Sequence, residues 1–462
     1  MTKHKKILSI FSGLLILVLA FCLTSCDLNG IKQFLNIGSD DKTSDDYEYD
    51  DSNLSNGIIY DDFKIYFIPF NNDKAGDSTY IKAGDTDILI DAGSTDATFD
   101  GISKRISKYC NDNKFEYVIA THAHQDHIAS FPKVFETYKV DTIIDFDFTS
   151  TSSKTYQRYL TARDNAVANG TKHYTASECY DNKNGAQREY QLSDNVTMKI
   201  VYNKYYYTTS SNENNYSVCT LFTYKDGTEE RNFFFTGDLE KEGEEAMAKY
   251  YDESTPEKTL PKCDFFKAGH HGSYTASNDC ILDIIQPKTC VVSCCCGTDE
   301  YTGNINGQFP SQSFINRIAK WTDKVYIPLI YESYEIVTAK QATDGNGEPK
   351  VDKKGNPVSD KTGVEVGEQY IKTTGYKELN GLIVVSCGKD DMGAVQVGIS
   401  CSNNDTLLKD TEWFNTKITL NGKERYIREK PAKWKESTEA NKEEWFFLFF
   451  LYFFNFKTIL IK

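Results

Sequence analysis

Five of the seven histidines in this 462-residue chain fall in two short clusters, and each cluster directly follows an apolar run. Tyr117-Val118-Ile119-Ala120 leads into Thr121-His122-Ala123-His124-Gln125-Asp126-His127. Phe265-Phe266-Lys267-Ala268 leads into Gly269-His270-His271-Gly272-Ser273. Three imidazoles and a carboxylate so close together cannot all pack into a core. An irregular turn after a strand lets them converge on one centre instead. Imidazole nitrogens and carboxylate oxygens are the ligands that zinc and related divalent ions take. The glycines flanking the second pair let the backbone approach a bound group closely. A third element, Phe233-Phe234-Phe235-Thr236-Gly237-Asp238, puts a carboxylate at the end of an aromatic strand, and a buried carboxylate needs a partner. Taken alone, Thr-Gly-Asp also fits an ordinary turn and helix cap.

The pattern around these clusters is α/β. Ile65 to Phe70, Asp87 to Asp91, Tyr117 to Ala120, Met198 to Tyr202, Ser217 to Tyr224, Asn232 to Phe235 and Thr289 to Val292 read as strands. Ile102 to Tyr109, Leu239 to Tyr251, Ile281 to Ile285 and Ser311 to Trp321 have helical spacing. Residues 340–366 interrupt the pattern with Asp344-Gly345-Asn346-Gly347 and Lys353-Lys354-Gly355-Asn356-Pro357, which mark a long loop or hairpin insertion near 335–375. Strands return at Leu382 to Val385 and Val395 to Ile399.

The chain begins with a basic segment, an apolar run from Ile7 to Leu23 and then Thr24-Ser25-Cys26, the layout of a signal peptide. Leu23-Thr24-Ser25-Cys26 resembles a bacterial lipobox, in which Cys26 takes the lipid. Residues 1–25 are therefore expected to be removed, and the protein to sit on the outer face of the cytoplasmic membrane. Residues 26–57 are expected to form an acidic tether, 58–430 the folded domain that carries both histidine clusters, and 431–462 a tail whose aromatic run from Trp445 to Phe454 receives no role. No protein partner is expected.

Composition sets limits. With 39% hydrophobic and 26% charged residues, the chain can build a core and is not wholly disordered. Its net charge is −15, and loss of Lys3, Lys5 and Lys6 with the leader makes it −18, the wrong sign for a nucleic-acid coat. Cys294-Cys295-Cys296 alternates faces along a strand, so the three cannot share one metal; small buried side chains with one or two disulfides are expected.

His122-Ala123-His124-Gln125-Asp126-His127, Thr236-Gly237-Asp238 and Gly269-His270-His271-Gly272-Ser273 resemble the metal motifs of the metallo-β-lactamase superfamily, and Leu89-Ile90-Asp91-Ala92-Gly93 resembles its opening motif. The second cluster, with Gly76-Asp77-Ser78 and Asn214-Asn215-Tyr216-Ser217, is similar in style to the ComEC-like extracellular branch, here in a free-standing lipoprotein form. The resemblance implies an αβ/βα four-layer sandwich with two divalent metal ions at one edge, zinc or else manganese. It implies that His122 and His124 hold the first metal, Asp126, His127 and His271 the second, and that Asp238 bridges them. His270 would face a substrate oxyanion, Asp126 would orient the attacking water, and Asp91 would orient a ligand imidazole. A further histidine ligand usual in the family is missing; Asn215 stands near its place, and His173 reads as a surface residue. The implied activity is an extracytoplasmic metal-dependent hydrolase acting on phosphodiesters of nucleic acid or envelope polymer. The alternative is a non-catalytic surface lipoprotein that binds DNA or envelope polymer through a degenerate metal site.

Overall fold

A computed structural model describes Leu54 and residues 57–70, 72, 74–252, 259–298 and 302–436. Cys26, the tether as far as residue 53 and the aromatic tail lie outside the described residues. Among the described residues no helix is long and apolar enough to cross a membrane.

The first half of the fold contains β1 (Phe63–Phe67), β2 (Thr79–Ala83), β3 (Thr86–Ile90), β4 (Lys114–Ile119), β5 (Lys139–Asp145) and β6 (Lys172–Thr175). Between them lie α1 (Thr98–Ile106), α2 (Gln125–Ile128), α3 (Phe131–Thr137) and α4 (Lys154–Ala168), and after β6 comes α5 (Ala176–Asp181). The second half continues with β7 (Glu189–Gln191), β8 (Val196–Val201), β9 (Cys219–Asp226), β10 (Glu229–Phe235), β11 (Phe265–Lys267), β12 (Cys290–Val291), β13 (Cys295–Cys296) and β14 (Val325–Tyr326). Its helices are α6 (Lys241–Tyr251), α7 (Asp279–Ile285) and α8 (Gln312–Ile318). The strands β15 (Leu329–Thr338), β16 (Gln369–Glu378), β17 (Ile383–Lys389) and β18 (Val395–Cys401) follow.

Two mixed sheets result. One has the order β18-β17-β1-β2-β3-β4-β5-β6, the other β14-β12-β11-β10-β9-β8-β7. They face each other through aromatic side chains. Phe63 of β1 meets Phe233 at 5.1 Å between ring centroids, and Phe67 meets Phe265 at 5.3 Å. Period-two alternation explains how one strand serves two cores. Phe233 and Phe235 of β10 point between the sheets, while Phe234 points to the opposite face, where Met247 of α6 and Ile281, Leu282 and Ile285 of α7 cover it. Each of these buried side chains contributes about 1.5–3 kcal/mol of transfer free energy. On the outer face of the first sheet, Tyr66 packs against Tyr109 just beyond α1, with ring centroids 4.3 Å apart. Helices outside two facing sheets make the four-layer α/β sandwich.

Within each sheet the strands nearest the site run parallel: β3-β4-β5-β6 in one, β10-β11-β12-β14 in the other. In open α/β sheets the carboxyl ends of such strands are where ligands collect. The insertion is a long antiparallel ribbon, β15 against β16, extended by short turns between residues 339 and 368.

The cysteine expectation is corrected. All eleven described cysteines are free thiols, and all but Cys280 are buried. Cys110, Cys179, Cys387 and Cys401 fill the inter-sheet core, while Cys219, Cys263, Cys290, Cys294 and Cys296 fill the helix-covered one. They act as small apolar side chains distributed through two cores.

Candidate metal centre

The His loop leaves the end of β4, and α2 turns Asp126 and His127 inward together. Asp238 leaves the end of β10, and a 3-10 turn at Gly269–Gly272 follows β11. Contacts across the gap between the sheets then join the motifs. His127 Nε2 lies 3.1 Å from Asp238 Oδ2, and His271 Nε2 lies 3.3 Å from the same oxygen. His271 Nε2 and His127 Nε2 lie 3.2 and 3.7 Å from Asp126 Oδ2. Ligand atoms about 2.0–2.1 Å from a tetrahedral zinc stand roughly 3.3 Å apart. The imidazole-to-carboxylate distances here, 3.1–3.7 Å, are close to that spacing. Asp238 is 1% exposed, and its second oxygen Oδ1 has no hydrogen-bond partner. A buried carboxylate oxygen left open beside imidazoles fits a divalent cation, and the donor set suits zinc or manganese.

His122 and His124 form the neighbouring half. His122 Nε2 is 2.9 Å from His124 Nδ1, and the rings of His122 and His127 are 4.2 Å apart. His173 does not join them. It is half-buried, with Nε2 2.7 Å from Asp145 Oδ1, so the surface role is replaced by a pairing inside the first sheet's end. Asn215 does not join them either. Its Oδ1 accepts from the Glu240 N–H at 3.3 Å and its Nδ2 donates to Ser210 Oγ at 3.4 Å.

Asp91 supports the first cluster. Its Oδ1 accepts from the Thr121 N–H at 2.8 Å, and its Oδ2 accepts from Thr121 Oγ1 and His127 Nδ1, each at 2.8 Å. That bond keeps a proton on Nδ1 and leaves Nε2 as the ligand atom facing Asp238. His271 is fixed the same way, with Nδ1 donating to Ser293 O at 2.8 Å. Asp91, His270 and His271 all adopt φ between 45° and 58°, the left-handed region that non-glycine residues rarely take. Such conformations cluster where surrounding structure holds a site in place.

The carboxylates set the charge states. Burial pulls His127 down, but Asp238, Asp91 and Asp126 outweigh it and push it well above the usual imidazole range. Burial likewise opposes, and Asp238 and Asp77 overcome, in His271, which rises to about 10. Burial holds His122 well below its ordinary value, with His127 and His124 adding to the effect. Asp126 and Asp238 stay ionised despite burial because His127 and His271 face them.

Beside this centre is a cleft of about 520 Å³ lined by Lys74, Ser94, Thr95, His124, Gln125, Asp126, Asn214 and His270. His270 therefore faces the cleft while His271 faces the carboxylates. Glu240 Oε1 holds His270 Nδ1 at 3.1 Å, and Asn214 Nδ2 donates to the same carboxylate oxygen at 2.9 Å. Asn214, Glu240 and the Asp77–Lys267 pair carried no role from sequence. Asn214 had its neighbour's motif as a signal and Asp77 and Lys267 stood inside quoted motifs, but Glu240 had none.

Residues 71–147 match the family model of the metallo-beta-lactamase superfamily, the segment that holds Asp91 and the first histidine cluster. This match supports the metallo-β-lactamase superfamily. Solved structures carry similar folds. The metallo-beta-lactamase fold protein YhfI from Bacillus subtilis is 14% identical and covers 58% of this chain and 96% of its own, with a TM-score of 0.32. Igni18, a metallo hydrolase from the archaeon Ignicoccus hospitalis, is 13% identical over 57% of this chain and 94% of its own, with a TM-score of 0.34. The short form of human tRNase Z is 11% identical over 50% of this chain and 91% of its own, with a TM-score of 0.29. A comparison with curated proteins finds no match. A metallo-β-lactamase-type centre implies divalent metal, and the residues brought together here fit it.

Proposed function

We propose that this protein is a metal-dependent phosphodiesterase of the metallo-β-lactamase superfamily, nuclease-like and allied to its ComEC-like branch. It works outside the cytoplasm, held to the membrane by lipid on Cys26. The observation that carries the reading is that His127 Nε2 and His271 Nε2 each lie 3.1–3.7 Å from both Asp126 Oδ2 and Asp238 Oδ2, beside a cleft lined by polar residues. Metal held there would polarise a phosphoryl group and supply a nucleophile near neutral pH. His122 and His124 add ring nitrogens for a second ion. Asp126 faces the cleft as well as His271, so it can orient a water at the reacting centre. His270, held by Glu240, and Asn214 offer donors to phosphoryl oxygens, where developing charge needs them. Lys74 at the rim adds a positive charge. Such a donor-rich cleft suits an anionic diester better than an apolar acyl group.

The test is metal content of the purified protein, followed by hydrolysis of bis-nitrophenyl phosphate and DNA with added Zn²⁺ or Mn²⁺. Turnover that is lost in Asp238→Ala is expected. No metal uptake, or turnover unchanged by Asp238→Ala, ends the enzyme reading. Palmitate incorporation that persists in Cys26→Ser ends the lipid-anchor reading. One observation favours a non-catalytic polymer-binding module instead: His173, the histidine between the first cluster and Asp238, pairs with Asp145 and does not join His122 and His124. DNA retained on the protein without turnover would decide for that module.

A further inference from the structure

Beneath the metal centre lies a buried ion pair that the reading above leaves without a role. Asp77 is 1% exposed and Lys267 is 3% exposed, and Lys267 Nζ stands 2.5 Å from Asp77 Oδ2. Fully buried charges occur almost only when paired, and breaking such a pair leaves a costly lone charge. The two residues come from the two halves of the sandwich. Asp77 lies in the link from β1 to β2, and Lys267 is the last residue of β11. The backbone of Asp77 is bound into the metal loops. Its N–H donates to Asp126 O at 3.1 Å, and its carbonyl accepts from the Gly93 N–H at 2.8 Å. Gly76 permits this approach: a Cβ there would stand 2.9 Å from Asp126 O, and its φ is +153°.

The side chain reaches the far side of the two imidazoles. Asp77 Oδ2 is 3.8 Å from His127 Nδ1, and Oδ1 is 3.9 Å from His271 Nδ1. Neither is a hydrogen bond. Both Nδ1 atoms are committed elsewhere, to Asp91 and to Ser293 O, each at 2.8 Å. Lys267 is the cation nearest the Asp77 carboxylate, and its Nζ also donates to Ala268 O at 3.1 Å.

We propose that Asp77 and Lys267 are positioning residues for the metal centre, a neutral buried pair that keeps both imidazoles aimed at Asp126 and Asp238. An unpaired Asp77 would compete with Asp91 and Ser293 for the two Nδ1–H groups and turn the rings away from Asp126 and Asp238. An unpaired Lys267 would set an ammonium against a site built for cations. Either single loss therefore weakens metal binding, and removing both charges restores it. The inference rests on the metal reading given above.

The test is Zn²⁺ affinity by chelator competition, with thermal unfolding measured alongside, for Asp77→Asn, Lys267→Met and the double variant. Loss of a partner behind a ligand imidazole costs about 10–100-fold in metal affinity. Each single variant is expected to lose about that much, and the double variant to bind more tightly than either. A pair that only braces the fold would shift the unfolding temperature and leave zinc affinity unchanged, which would overturn the proposal. So would a double variant no tighter than the singles. If neither single variant folds, Lys267→Arg and the double variant carry the test, and either one binding zinc more weakly than the native protein overturns it. Native protein that takes up no zinc ends both this inference and the metal reading; native uptake with unaffected variants ends this one alone.

Discussion

Replacing Asp91 by Asn should uncouple metal binding from folding. The native carboxylate accepts three hydrogen bonds, from Thr121 N, Thr121 Oγ1 and His127 Nδ1, each at 2.8 Å. An Asn of the same shape keeps an acceptor for the Thr121 N–H and places an NH₂ against His127 Nδ1. That NH₂ must donate, so the His127 proton moves to Nε2, and the atom facing Asp238 loses its lone pair. Asn also tolerates the φ of +58° that Asp91 adopts. Zinc affinity should fall about 10–100-fold, while stability falls by only about 1–2 kcal/mol. Asp91→Ala differs. It strands three donors in the core and puts Ala in a left-handed conformation, so about 3–5 kcal/mol of stability should go. The assays are urea unfolding and zinc competition near pH 7.5. Asp91→Asn that binds zinc like the native protein would refute the tautomer argument. Asp91→Ala with an unchanged urea midpoint would refute the hydrogen-bond accounting.

Three further outcomes are expected. His271, raised to about 10, and His127, raised well above its usual range, carry protons in the metal-free protein. Zinc must displace them, so apparent affinity should rise with pH by about tenfold per unit for each proton released; a pH-independent affinity between pH 6 and 8 contradicts this. Arg428 is 1% exposed and donates to the carbonyls of Gln308, Pro310 and Ile427, bracing the loop whose Phe309 ring lies 5.9 Å from both His270 and His271. Arg428→Ala should cost about 3–5 kcal/mol in urea unfolding, and a native-like midpoint would show that the carbonyls find other donors. Of the eleven described cysteines, Cys280 alone is partly exposed, and burial pushes it up to about 12. Mass spectrometry after mild iodoacetamide treatment should find slow labelling there; rapid labelling of Cys294–Cys296 would contradict their burial.

Much of the architecture was legible because its signal is local. Phe233-Phe234-Phe235 and Ile88-Leu89-Ile90 are apolar runs of strand length, and both are strands. Weakly patterned elements escaped. Helix α4 has one buried residue, Tyr159, so its sequence carries no apolar stripe to read. Helix α5 did announce itself through Thr175 and Glu178, which form a capping box, but its six residues are too short for periodicity to register. The first strand after Asp77, β2, is Thr-Tyr-Ile-Lys-Ala, in which Lys82 interrupts the apolar run.

The candidate centre divides along the same line. The sequence by itself determined the ligand types and their grouping, because His122, His124, Asp126 and His127 sit in one turn and His270 and His271 in another. Only the tertiary structure decided which atoms meet. His271 rather than His270 faces Asp126, because successive residues in that left-handed turn point to different sides. Asn214 rather than Asn215 lines the cleft. The Asp77–Lys267 pair joins a loop between two strands of one sheet to the last residue of a strand in the other, a contact that no spacing rule encodes. Local chemistry is written in neighbouring residues, but charge balance between the sheets depends on how they pack.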